Sequence, residues 1–207
     1  MKEIQDYEKD IASIRTMMER SVKFISLSGL SGILAGVYAL MGASAAYYLV
    51  YYPASPFGFR FHYVDEYNVI VKLMFIAALV LAFSIGTGYW LSMKKAKKFG
   101  IAVWNHASKQ LLKDLLIPLV TGGLFILILL SRENYTIVAS ASLVFYGVAL
   151  INASRNTYHE VQYLGYTEIG LGMFAAMVPG YGLIFWSLGF GVMHIIYGTV
   201  MYFRYDK

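Results

Sequence analysis

Cysteine is absent from all 207 residues. That removes disulfides, thiolate metal sites and thiol nucleophiles together. Charge is scarce as well: Asp, Glu, Lys and Arg make up 14% of the chain, against about one quarter in ordinary soluble domains. Several enzyme signatures are missing, namely the HExxH zincin motif, an aspartate-rich prenyl-diphosphate motif and a nucleotide-binding loop. The N-terminus also lacks the layout of a cleavable signal. "MKEIQDYEKDIASIRTMMER" carries both signs of charge before the first apolar run, and no small-residue cleavage site follows a short apolar core. The first hydrophobic segment is therefore expected to stay in the mature protein.

What remains is apolar. Hydrophobic residues make up 58% of the chain, and the mean hydropathy is +0.58. A soluble fold of this length has too little interior to hide so much apolar side chain. Runs of roughly twenty apolar residues recur, the length that a bilayer core demands of each helix. The pattern predicts an all-α polytopic membrane protein with six transmembrane helices in three hairpins. The spans are placed at about 24–50, 69–91, 111–130, 135–154, 161–179 and 183–203, within one domain over 23–207. The links "SREN" (131–134) and "PGYG" (179–182) are short enough for tight hairpins, and Pro179 ends one helix.

Orientation follows from the basic residues. Of seventeen lysines and arginines, only Arg60, Lys72 and Arg132 fall on one side of the bundle. The others gather at the opposite side, which is therefore predicted to be cytoplasmic and to hold both termini. The net charge of +5 thus reads as topology, and no nucleic-acid partner is expected. The loop over 91–116 faces phospholipid headgroups in this reading, and the aromatic loop over 51–67 lies over the outer mouth. Trp90, Trp104 and Trp186 fall near the ends of spans. Residues 1–22 form an amphipathic cytoplasmic helix, because Ile4, Tyr7, Ile11, Ile14 and Met18 recur at spacings of three and four. That helix has three open destinations: its own bundle, the membrane interface or a second copy.

Three spans carry the same spacing on one face: Gly29, Gly32 and Gly36; Gly165, Glu168 and Gly172; Gly191, His194 and Gly198. Small residues let membrane helices approach closely. In two of these sets a titratable residue replaces the middle glycine. Helix rise puts Glu168 about 12 Å and His194 about 13 Å from the cytoplasmic end. The two spans are joined by a tight turn, so the acid and the imidazole are expected at one level. A lone carboxylate in hydrocarbon costs at least about 2.5–3.5 kcal/mol, so Glu168 is expected to face the bundle interior. Two readings stay open: a clamp between helices, or a site for a ligand, ion or proton. Ser28, Ser31, Tyr146, Asn152 and Tyr166, with Thr87, Gln162 and Thr167 nearby, are expected to complete a polar pocket in the cytoplasmic half.

Two resemblances bear on function. "GLSG" (29–32) is similar to the GxSG serine context of rhomboid-type intramembrane proteases, which implies Ser31 as nucleophile, His194 as base and Glu168 orienting the ring. The likeness covers four residues, and Ser31 lies on the first span, whereas the rhomboid serine lies on a middle one. More broadly, "MMERSVKFISLSGLSGILAGVYALMGA" and "GFGVMHIIYG" resemble an uncharacterised family of small bacterial integral membrane proteins. That resemblance implies a bacterial inner-membrane location and no activity. The leading expectation is a small-molecule or ion site serving transport or sensing. Intramembrane hydrolysis and a scaffold or regulatory role without chemistry stand as alternatives. The expected partners are the lipid bilayer, a small molecule, ion or proton, and a second copy or another protein. No metal site and no particular cofactor is indicated; the histidines at 62, 106, 159 and 194 do not cluster in sequence.

Overall fold

Short links and long apolar segments fold here into antiparallel rods. The computed structural model describes residues 28–52, 67–98 and 104–207, with positions 11 and 100 standing alone. The amphipathic helix expected over 1–22 and the outer loop over 53–66 lie outside the described residues. Among those described there is no strand, and there are six helical rods. Helix α1 is Gly29–Ala46, prolonged by a π-helical stretch, Tyr47–Tyr51. Helix α2 is Tyr67–Lys98, α3 is His106–Ser131, and α4 is Val138–Ser154, entered through a 3-10 turn at Tyr135–Ile137. Helix α5 is His159–Met177, and α6 is Gly182–Tyr205, whose middle, Ser187–Met193, is π-helical. All except α5 are long and apolar enough to cross a membrane. The nineteen residues of α5 include Glu160, Gln162 and Glu168, which dilute its apolar character.

Helix ends differ from the sequence expectation where local chemistry overrides hydropathy. Helix α2 runs past 91 to Lys98; its last turn holds Lys95, Lys97 and Lys98, cations that suit a helix C-terminus. Helix α3 starts at His106 rather than 111, because Asn105 and Ser108 form a reciprocal capping box. Helix α5 stops at Met177, since the residue before Pro179 is pushed out of the helical region; Val178 has φ −123° and ψ 74°. Gly180 then turns the chain with φ +97°, a conformation that glycine adopts without strain. Between α3 and α4 the chain leaves the helix through a Schellman motif. The Asn134 N–H donates to the Leu129 carbonyl at 2.9 Å and the Glu133 N–H to that of Leu130 at 3.1 Å, with Glu133 in the left-handed position at φ +57°.

Four rods make the interior. Helix α1 packs on α6, α6 also meets α4 and α5, and α4 and α5 are paired along their length. Helices α2 and α3 flank this group, α2 against α1 and α3 against α4. Glycine makes both central pairings possible. A Cβ added at Gly36 would stand 2.6 Å from the Gly191 carbonyl oxygen, and one at Gly198 would stand 2.6 Å from the Ile33 amide. The α4–α5 crossing is reciprocal: Cβ atoms at Gly147 and Gly165 would lie 2.6 and 2.8 Å from each other's carbonyl oxygens. Lipid supplies no hydrophobic drive between helices, so close backbone contact of this kind is what holds them.

Candidate functional site

The π-helical stretch of α6 contains Gly189 and Gly191 and ends immediately before His194. π-Helical turns widen the rod and are frequent at functional positions. His194 is 6% exposed and Glu168 is wholly buried. The His194 Nδ1 lies 3.0 Å from the Gly189 carbonyl oxygen and 3.4 Å from Glu168 Oε1, and its Nε2 lies 2.8 Å from the Tyr146 hydroxyl. A carbonyl only accepts, so Nδ1 carries a proton. In a neutral ring Nε2 then accepts from the Tyr146 hydroxyl; in an imidazolium it donates to the same oxygen. The row Glu168, His194, Tyr146 thus accommodates either charge state of the ring without moving its partners.

Glu168 is the anomaly. Neither of its carboxylate oxygens has a hydrogen-bond partner among the described residues, and its contact with His194 is long for a hydrogen bond. Buried polar side chains normally find partners, and one that does not calls for an explanation. Its seat is made by an absence: a Cβ at Gly189 would fall on Glu168 Oε2, and would stand 2.5 Å from Leu143, itself fully buried. Aromatic rings continue the row toward the far end of α6. Tyr146 stacks on His194 with centroids 5.4 Å apart, Phe190 lies 5.0 Å from Tyr146, and Trp186 lies 5.2 Å from Phe190.

Of the residues expected from the sequence, the structure brings together Glu168, His194 and Tyr146. It does not bring the others to them. The Ser28 hydroxyl donates to Asp206 Oδ2 at 2.8 Å, and that of Ser31 donates to the Ser28 carbonyl at 2.6 Å. No hydrogen bond joins Ser31 to His194, whose two ring nitrogens face Gly189 and Tyr146. Asn152 is half-buried six residues beyond Tyr146, about 9 Å further along α4. Tyr166 is 53% exposed and bonded to Gln162 on the outside of α5. Thr87 and Thr167 donate to carbonyls of their own helices. The described residues hold no group of three His, Cys, Asp or Glu side chains placed to bind a metal ion.

A second set of ionic contacts closes the basic end of the bundle. Lys95 of α2 donates to Asp206 Oδ1 at 2.6 Å, so Asp206 ties α2 and the start of α1 to the end of α6. Burial pushes the Asp206 carboxyl up, but the hydrogen bonds from Lys95 and Ser28 and the lysine's charge outweigh it and hold the group below its usual range. Glu160, in the first turn of α5, pairs with Arg204 and accepts from the Tyr205 hydroxyl at 3.0 Å. Tyr158 stacks on Tyr205 with centroids 3.9 Å apart. Its hydroxyl is pushed up to about 12 by burial first and by the negative charge of Asp206 second. Sequence reasoning missed Lys95, Asp206 and Glu160 as a linked set, and it missed Gly189. Gly189 lies two residues from Gly191, a spacing that places it on no shared helical face. Only the π-helical turn aims it at Glu168.

Comparison of the chain with protein-family models, curated proteins and solved structures finds no match. The chemistry of the buried row is therefore the guide to function.

Proposed function

We propose that this is a multi-pass membrane protein whose buried Glu168–His194–Tyr146 row takes up and releases a proton, in transport or in sensing. On this reading α5 is a sixth crossing. It is paired along its length with α4 and joined by a short link to α6, both of which are apolar enough to cross. Three hairpins then place the basic ends, with both termini, on the cytoplasmic side, and the sequence resemblance favours a bacterial inner membrane. Glu160, Arg204 and Asp206 lie at the cytoplasmic edge, outside the hydrocarbon.

One observation carries the reading: a wholly buried glutamate with no hydrogen-bond partner among the described residues, 3.4 Å from an imidazole. A side chain kept only to lock two helices would lower its cost by satisfying its oxygens. Ionisable groups held inside membrane helix bundles commonly mark ion or proton pathways, which supports this reading. Histidine is the side chain whose ordinary titration falls nearest neutral pH.

The test uses the full chain in lipid nanodiscs. Infrared difference spectra and NMR of labelled histidine follow both groups from roughly pH 4 to 9, the range that brackets ordinary carboxylate and imidazole titration. The expected result is a coupled protonation step at Glu168 and His194 that Glu168→Gln abolishes. Proton flux in proteoliposomes that is lost in the same variant assigns transport; titration without flux assigns sensing. Absence of titration at either residue across that range would leave only a structural clamp and overturn the proposal.

A further inference from the structure

The end of the bundle opposite the basic clusters holds a cavity of about 220 Å³. It lies where the outer halves of α1, α2, α3, α4 and α6 approach one another. Ile70 and Leu73 of α2 form one wall, Ile126 and Leu130 of α3 the facing wall, and Ala139 of α4 and Trp186 of α6 part of the back. No charged side chain lines it. Two of its polar groups are already spent locally: the Ser142 hydroxyl donates to the Ala139 carbonyl at 2.7 Å and that of Thr136 to Asn134 at 3.3 Å. A water molecule inside would find few of the two to four polar partners that it requires. The volume exceeds the roughly 150 Å³ of an apolar cavity that stays dry and takes up benzene.

The mouth of this cavity identifies what reaches it. Helices α2 and α3 supply its two walls but make no substantial contact with each other. The cavity is thus a cleft open sideways between them. Helix α2 buries none of its most apolar stretch inside the protein, and Phe75 and Leu79 beside the cleft are exposed. In a membrane these surfaces face acyl chains, so hydrocarbon is the medium at the opening. We infer that the cleft is a binding site for one acyl chain of a bilayer phospholipid, entering laterally between α2 and α3. The chain would lie against Trp186, the first ring of the Trp186–Phe190–Tyr146–His194 row. This inference stands without the proton reading, because it concerns a different cavity and a different readout.

The test exploits the three tryptophans. In the Trp90→Phe, Trp104→Phe background only Trp186 remains. That protein is reconstituted into vesicles of phosphatidylcholine brominated partway along one acyl chain. Trp186 fluorescence is expected to fall at least twofold relative to unbrominated vesicles. Ala77→Phe, which fills the cleft from α2, is expected to restore most of it; Ala139→Leu, a smaller filling from α4, does the same job if the first variant folds poorly. Unquenched Trp186 in the unfilled protein would overturn the inference, pointing to a cleft covered by another part of the chain or by a second copy. Quenching that persists unchanged after filling would also overturn it, since Trp186 would then be meeting bulk lipid. The lack of native cysteine adds a check: disulfide-linked dimers formed by Leu73→Cys would assign the cleft to a second copy and count against the lipid.

Discussion

Two buried acids lie eight residues apart on α5, and both turn toward α6, yet they are held in opposite ways. Glu160, at the helix start, has a guanidinium and a phenol hydroxyl on its carboxylate. Glu168, about 12 Å deeper by helix rise, has one imidazole at 3.4 Å and no hydrogen bond from the described residues. The shallow acid is satisfied, as a structural ion pair should be. The deep acid sits where an unsatisfied charge costs most and where the neighbouring glycine keeps a seat open for it. The difference separates a satisfied ion pair from a buried acid that the described residues leave without a hydrogen bond, although the two residues are of one type.

The largest expected effect comes from removing the imidazole. His194→Leu strands Glu168 and should cost about 3–5 kcal/mol, the range for breaking a buried pair from one side. Glu168→Gln alone should cost much less, and combining the two should recover more than about 1 kcal/mol as coupling. Reversible unfolding in mixed micelles measures all three. Equal losses in the two single variants would make the deep pair a clasp like the shallow one.

Gly189→Ala comes next. The added methyl falls on Glu168 Oε2 and on Leu143, and overpacking of this kind costs about 1–3 kcal/mol. The same unfolding measurement repeated in a Glu168→Ala background should show a smaller penalty, because the carboxylate is no longer there to be struck. An unchanged penalty would assign the glycine to helix packing rather than to the acid's seat.

The smallest effect belongs to the shallow acid. Burial alone would raise the Glu160 carboxyl, but the hydrogen bonds from Arg204 and Tyr205 and the arginine's charge carry it below its ordinary value. A lowered folded-state value means stability that is present above the unfolded value, about 4.3. That stability is lost as pH falls through the folded one. Glu160→Gln should therefore flatten the acid limb of a stability profile below about pH 4 and lower stability at neutral pH by the same small amount, since Arg204 is largely exposed and water screens the pair. Any change in the titration of His194 in that variant would break the separation between the two acids.

Much of the fold was legible because the bilayer constrains sequence strongly. Apolar runs of membrane length gave the all-helical rods, five of those described being long and apolar enough to cross a membrane. The glycine spacing predicted close helix approach without saying which rods would meet; the structure pairs α1 with α6 and α4 with α5, and Gly147, the partner of Gly165, went unnoticed. Of the candidate site, depth counting put Glu168 and His194 at one level, and Tyr146 was added as a polar residue of the fourth span. The same reading also collected Ser28, Ser31, Asn152 and Tyr166, which the structure turns elsewhere: Ser28 to Asp206, Ser31 to its own helix, Asn152 further along α4, and Tyr166 to the outside of α5. Depth is a one-dimensional quantity that a sequence contains, whereas the azimuth of a side chain depends on how each rod rotates against its neighbours.

The sequence by itself predicted a helical chain with six spans, of which the structure has five long and apolar enough to cross a membrane, a basic end, and an acid and an imidazole carried to one level. Only tertiary structure decided that the acid would lie unsatisfied on a glycine, that the serines would turn to the C-terminal clasp and to their own helix, and that the one described cavity would open at the opposite end among apolar walls. The physical reason is how each rod rotates against its neighbours, which residue spacing does not contain, and within α6 part of that rotation comes from the π-helical turn. It shifts the phase of every later side chain on that rod, and a period of 3.6 residues read along the sequence does not anticipate such a shift.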